Sequence, residues 1–152
     1  MVPRKGHVWF VFRCLAWYNM EMNKKLNGNV IIPAQANPWP HEIRVAKILA
    51  LAGHEVIFIP EGTIGSADIY LDGVIYEIKS PKTRNTNTIE HRLKEAIRRQ
   101  SCNLIVDSSR LKGMSDRNLQ NWLIDRCKRQ PQIKKMIFLN KNGQIIDIKA
   151  LI

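Results

Sequence analysis

From Pro40 onward the apolar residues recur in two alternating rhythms, one helical and one strand-like. In "HEIRVAKILALAG", Val45, Ala46, Leu49 and Ala52 return at steps of three and four, which makes one apolar helix face. Pro40 suits the first turn, where its missing N–H costs nothing, and Gly53 stops the helix. "EVIFIP" (Glu55–Pro60) is a short apolar strand. "SADIYLDGVIYEIKSPK" (Ser66–Lys82) is two strands around Asp72-Gly73, a two-residue hairpin turn. A second helix is predicted over Asn87–Gln100, with Ile89, Leu93, Ala96 and Ile97 on one face. "NLIV" (Asn103–Val106) is a buried strand. A third helix, Asp116–Arg129, buries Leu119, Trp122, Leu123 and the stem of Arg126. "KKMIFLNKNGQIIDIK" closes the chain as two strands around Asn142-Gly143. The order helix, three strands, helix, strand, helix, hairpin predicts one α/β domain, a mixed β-sheet flanked by helices.

The prolines of "PAQANPWPHE" (Pro33–Glu42) mark a linker. They divide the chain into a leader of unassigned role, residues 1–32, and a main domain, residues 33–152. The leader begins "MVPRKGHVWFVFRCLAWY", which imitates a signal peptide, but Arg13 interrupts the apolar run and no small-residue cleavage site follows. The run is also too short to span a bilayer. Neither a clear signal peptide nor stable membrane insertion is expected.

The first hairpin holds an anomaly. Asp68, Glu77 and Lys79 sit within its strands, where such residues are disfavoured. If Asp72-Gly73 is the turn, Leu71 pairs with Val74, Tyr70 with Ile75 and Ile69 with Tyr76, and Asp68 is expected directly opposite Glu77. Strand alternation puts Asp68, Tyr70, Ile75, Glu77 and Lys79 on one face, with an apolar face behind. Opposed side chains have Cβ atoms roughly 4.5–5.5 Å apart, so two acids there need a cation or a shared proton. A hard divalent cation with oxygen ligands satisfies that need. Lys79 would lie one strand repeat from Glu77, placed to stabilise negative charge. The competing reading is a solvated face with a Glu–Lys neighbour pair. Glu42 lies on the apolar line of the first helix, near its N-terminus. It is either a further acid of the same site or a first-turn acid favoured by the helix dipole.

Charge sharpens the picture. The 152 residues carry a formal net charge of +11 and a pI of about 9.9. So basic a chain suits a polyanionic partner: nucleic acid, an anionic membrane or an acidic protein. Three cysteines without a C-x-x-C pair, and four scattered histidines, point to neither a disulfide framework nor a zinc knuckle. Candidate phosphate contacts are Ser80 and Lys82 beside the hairpin, and Lys94, Arg98 and Gln100 on the second helix, within a cluster that includes Arg92 and Arg99. Arg126, Lys128 and Arg129 form a second cluster. Asp107 ends the "NLIV" strand, either supporting the site or capping a turn. Trp39 and Trp122 are expected in the core rather than stacked on bases.

The spacing of Asp68, eight residues, then Glu77-Ile78-Lys79, with Glu42 on a preceding helix, resembles the PD-(D/E)XK nuclease superfamily. Ala67 stands where that motif has its proline. "HEIRVAKILALAGHEVIFIP", "ADIYLDGVIYEIKSPK" and "TIEHRLKEAIRRQSCNLIVDSSR" are more closely similar to the toxic C-terminal nuclease domain of contact-dependent growth-inhibition proteins. That likeness runs from about Pro33 to Arg110 and continues loosely to Lys149. It implies a restriction-endonuclease-like core and a divalent-metal-dependent ribonuclease that cleaves tRNA and is neutralised by a cognate immunity protein, for which the basic charge suits an acidic surface. By motif match, Asp68, Glu77 and the helix acid Glu42 hold Mg²⁺ or Mn²⁺, with Zn²⁺ an alternative, and Lys79 is catalytic. Such a domain acts in the cytoplasm of the producing or the target cell, and can be delivered from another cell. The rivals are a DNA nuclease of the same superfamily and a catalytically degenerate nucleic-acid-binding module.

Overall fold

The computed structural model describes residues 28–62 and 67–152. Residues 1–27, most of the expected leader, lie outside them. Among the described residues seven strands form one sheet in chain order. They are β1 (Val30–Ile31), β2 (Val56–Phe58), β3 (Ile69–Leu71), β4 (Val74–Lys79), β5 (Asn103–Asp107), β6 (Lys135–Leu139) and β7 (Ile145–Asp147). The helices are α1 (Pro40–Leu51), α2 (Thr86–Arg99) and α3 (Asp116–Arg129), with a closing 3₁₀ turn at Lys149–Leu151. The pairs β1–β2, β4–β5 and β5–β6 are parallel and the others antiparallel, so the sheet is mixed, as expected. Val30–Ile31 pairs with Val56–Ile57 and brings the segment before Pro33 into the sheet.

Alternation along the central strands separates two apolar layers. Ile105 of β5 joins Val45, Ala46 and Leu49 of α1, together with Ile69, Leu71, Tyr76 and Ile78 of the hairpin. Its neighbours Leu104 and Val106 face the other way, onto Ile89, Leu93 and Ala96 of α2 and Leu119 and Leu123 of α3. So α1 covers one face, and α2 and α3 cover the opposite face. Helix starts follow local chemistry. The Asn85 side chain accepts the N–H groups of Asn87 and Thr88, and Ser115 accepts that of Asn118.

The first hairpin turns at Asp72 and Gly73, both with positive φ (49° and 79°), as its strand twist requires. Asp72 also accepts the Glu55 N–H and bonds His54 Nδ1, which ties the turn to the segment leading into β2. The last hairpin is wider than a two-residue turn. Leu139 pairs with Ile145, and the Asn140 and Gln144 side chains bond across the loop between them. No helix among the described residues is long and apolar enough to cross a membrane.

Candidate active site

Glu77 and Lys79 of β4 lie in register with Leu104 and Val106, so they point to the α2 side of the sheet. The hairpin keeps the expected register from Leu71–Val74 to Ile69–Tyr76. There the ladder breaks. The Asp68 N–H donates to the Tyr76 carbonyl at 3.2 Å, and Asp68 Oδ2 accepts the Ile78 N–H at 2.7 Å. Asp68 therefore stands staggered against β4 rather than squarely opposite Glu77, because its own carboxylate replaces a backbone acceptor.

The two carboxyl groups nonetheless meet. Glu77 is almost fully buried, at 2% exposure. Its Oε1 takes the Lys79 ammonium, while its Oε2 is buried without a hydrogen-bond partner. Burial, followed by the nearby Asp68 charge, pushes the Glu77 carboxyl up to about 8, against the pull of Lys79. Burial also raises Asp68, offset by the Ile78 N–H, by Lys79 and by its contact with Glu77. The shared contact lowers Asp68 and raises Glu77, so the two carboxyls titrate as a pair rather than independently. With both ionised there is no donor, and Oε2 is the orphan.

Lys79 Nζ also reaches Gln100 Oε1, at 3.3 Å, where α2 ends. A small recess joins Lys79 and Ser80 to Arg92, Ile89 and Leu93 of α2. Gln100 and Arg92 thus stand nearer the carboxylates than Lys94 and Arg98 do. Those two line a separate groove of about 480 Å³ between α2 and α3, with Arg126 and Arg129. Lys94 and Arg126 both pair there with Glu90, at 2.9 and 3.2 Å. Lys82 is exposed in the loop before α2.

Glu42 reaches the site from α1. It shares a cavity of about 300 Å³ with Asp68, Glu61, Phe58 and Trp39. Its carboxyl is raised, first by burial, against the Trp39 N–H that Oε2 accepts at 2.8 Å; the charges of Asp68 and Lys79 also reach it. Among the described residues no three His, Cys, Asp or Glu side chains converge closely enough to hold a metal ion. The Asp68–Glu77 pair is the part that fits a cation: a buried carboxyl beside a half-buried one, one oxygen unpartnered and mutual repulsion to relieve. A hard cation such as Mg²⁺ is ordinarily held by one or two carboxylates, with water and substrate oxygens completing its shell.

Behind the site is a polar hub with no signature in local sequence. Asp107, fully buried at the end of β5, accepts Arg44 Nη1 at 2.7 Å, Ser80 Oγ at 3.0 Å and the Ser109 N–H at 3.2 Å. Ser80 is therefore spent on Asp107 rather than open to phosphate. Arg110 Nη1 donates to His41 Nδ1 at 2.8 Å, and burial, then that guanidinium, lowers the imidazole's pKa. Trp122 packs against the core with Arg126 5.1 Å from its ring, as expected, but Trp39 is 66% exposed and does not enter the core.

Residues 65–145 match the family described as the contact-dependent growth inhibition CdiA C-terminal domain. The chain belongs to this family. The part matched to the CdiA C-terminal domain contains the Asp68–Glu77–Lys79 hairpin, α2 and the Asp107 strand, while Glu42 and Arg44 precede it. Among solved structures the chain is similar to one titled "CdiA-CT/CdiI toxin and immunity complex from Burkholderia pseudomallei". The TM-score is 0.60 and the identity 18%, over 78% of this chain and 98% of that one. At that identity the likeness shows a common fold. No curated protein matches.

Proposed function

We propose that this CdiA C-terminal domain is a divalent-metal-dependent ribonuclease toxin that cleaves tRNA and is neutralised by a cognate, acidic immunity protein. The observation that carries the proposal is the pairing of half-buried Asp68 with buried Glu77, whose Oε2 has no partner. Asp68 is accounted for in part by the Ile78 N–H it accepts, but Glu77 buries a carboxyl beside a second acid with one oxygen unpaired, which costs stability. Sites that retain such strain are commonly functional. The motif order Glu42, Asp68, Glu77-Ile78-Lys79 on helix and hairpin supports a PD-(D/E)XK type of core. The family and the toxin and immunity complex of the similar structure support a toxin with an immunity partner, and the reading adds delivery from another cell and action in the target's cytoplasm.

In this reading Asp68 and Glu77 would hold a Mg²⁺ or Mn²⁺ ion, while Glu42 lines the adjoining cavity rather than completing a three-acid cluster. The cation would supply Lewis acidity and neutralise charge on a phosphodiester. The residues of the chain do the rest. The Ile78 N–H fixes the Asp68 carboxylate, and Gln100 and Glu77 hold the Lys79 ammonium over the pair. Lys79, an obligate donor, stabilises the negative charge that develops as the P–O bond breaks. The basic α2–α3 groove binds the phosphate backbone at a distance, through charge and without base selection.

The test is to incubate the pure protein with total RNA and, separately, with plasmid DNA, in Mg²⁺, in Mn²⁺ and in chelator. Cleavage of RNA with metal alone is expected. Cleavage of DNA instead would move the site to the DNA-nuclease class. No cleavage of either polymer would reject the nuclease reading.

A further inference from the structure

Trp39 is the one aromatic among the large, exposed apolar side chains of the described residues, at 66% exposure. It stands between Pro38 and Pro40 as the N-cap of α1, with an extended backbone (φ −70°, ψ 154°). Its N–H donates to Glu42 Oε2 at 2.8 Å, and its carbonyl accepts the N–H groups of Glu42 and Ile43 at 2.9 and 3.1 Å. Two prolines and three hydrogen bonds thus fix the main chain that carries the indole, and only its two side-chain torsions remain to be ordered. Trp39 borders the same cavity as Glu42 and Asp68.

The charge of that cavity makes the indole informative. Glu42, Glu61 and Asp68 line it, so without a bound cation, as in chelator, a polyanion gains nothing there from charge, despite the chain's net +11. Affinity at this spot has to come from an interaction indifferent to the sign of the phosphate. Stacking a planar, neutral base on an aromatic face is such an interaction, and it is largely independent of base sequence. The cavity volume, about 300 Å³, is at the small end of ligand pockets and accommodates one nucleotide unit rather than a duplex.

We propose that Trp39 is the stacking platform for a single unpaired nucleobase adjoining the phosphate presented to Asp68, Glu77 and Lys79. The inference rests on the nuclease reading above and adds to it a nucleobase subsite and a demand for single-stranded substrate. Stacking acts on the bound substrate and on the transition state alike, so its loss raises KM and leaves kcat near the parent value.

The experiment uses fluorescence anisotropy in chelator, where cleavage is silent. The probes are labelled ribo-oligomers about eight nucleotides long, within the span of single-strand sites. One is all adenosine, one all uridine and one an abasic ribose-phosphate chain. The parent should bind adenosine most tightly and the abasic chain least. Trp39→Ala should lose between about fivefold and about 150-fold on adenosine, the range of one base–aromatic stack, and nothing on the abasic chain. Trp39→Phe should recover most of the loss. Both variants keep the backbone groups that pair with Glu42 and Ile43, so a near-parent melting temperature shows that the fold is retained. An equal loss on all three probes, or none on any, overturns the stacking platform while leaving the nuclease reading in place. A parent that binds none of the probes and cuts no RNA overturns both.

Discussion

The carboxylate of Asp68 accepts the backbone N–H of Ile78 at 2.7 Å, and this bond ends the β3–β4 ladder one pair earlier than the turn alone would. The same bond holds the Asp68 carboxylate beside that of Glu77. An asparagine can keep the bond through its side-chain oxygen and offer Glu77 a donor through its nitrogen.

Asp68→Asn should therefore fold, with a melting temperature in chelator equal to the parent's or higher. It should lose the stabilisation that Mn²⁺ gives the parent, which at about a hundred times Kd is roughly 2.7 kcal/mol. Differential scanning fluorimetry with and without Mn²⁺ checks this, and equal metal-induced shifts in both proteins would remove Asp68 from the metal site.

Glu77 sets a pH dependence. Its folded pKa, about 8, lies above its ordinary value of 4.5. The raised value means that the folded chain keeps a proton the unfolded chain has released. The stabilising effect of that proton is complete below about pH 4.5 and is lost as pH rises to 8, with a slope of at most about 1.4 kcal/mol per pH unit. In chelator the parent should thus be less stable at pH 8 than at pH 5. The raised values of Asp68 and Glu42 act in the same sense, and the lowered one of His41 in the opposite sense. The decisive quantity is then the difference from Glu77→Gln, whose melting temperature should fall less over that interval. Parallel curves for the two proteins would contradict the raised Glu77.

The hairpin register was legible because Asp72-Gly73 admits few turns, and the apolar face of the strands had to meet α1. The break at Asp68 was not legible, since it depends on a side chain replacing a backbone acceptor. Val30–Ile31 escaped notice because two residues show no alternation. The Arg44–Asp107 pair joins residues distant in sequence, and nothing near either one announces it. Trp39 was expected in the core on its residue type alone, but the flanking prolines and its cap position hold it at the surface.

Asp107 should be a stability residue first. Asp107→Ala leaves the Arg44 guanidinium, the Ser80 hydroxyl and the Ser109 hydroxyl, which donates to Asp107 Oδ2 at 2.5 Å, without this acceptor. Because Arg44 is 34% exposed and can be solvated, a loss of roughly 1–3 kcal/mol is expected, the scale for leaving buried polar groups unpaired. Asp107→Asn retains an acceptor and should lose less. Urea unfolding of the two variants measures the difference, and a cost below about 1 kcal/mol for the alanine, the median for exposed pairs, would show the hub to be peripheral.

The α2–α3 groove should contribute charge alone. Lys94→Gln with Arg98→Gln should weaken RNA binding without changing which sites are cut. Each lost phosphate contact should lower the slope of log K against log salt by about 0.7 for single strands. Filter binding across a salt series reads the slope, and an unchanged slope would move the phosphate path elsewhere.

Lys79 separates catalysis from binding. Lys79→Ala should keep Mn²⁺ affinity, since an ammonium is no ligand, and most RNA affinity, since many other cations supply phosphate contacts. Its cleavage rate should fall by roughly a hundredfold or more, the scale for removing a stabiliser of transition-state charge. A loss of RNA binding in proportion to cleavage would make Lys79 a phosphate anchor only.

The most direct measurement is gel analysis of tRNA incubated with the parent, with Asp68→Asn and with Glu77→Gln, each in Mg²⁺ or Mn²⁺ and in chelator. The Asp68–Glu77 pair as a metal-holding centre predicts discrete tRNA fragments from the parent with metal, and intact tRNA in chelator and with either variant. Fragments that persist in chelator, or that either variant produces at the parental rate, would contradict it.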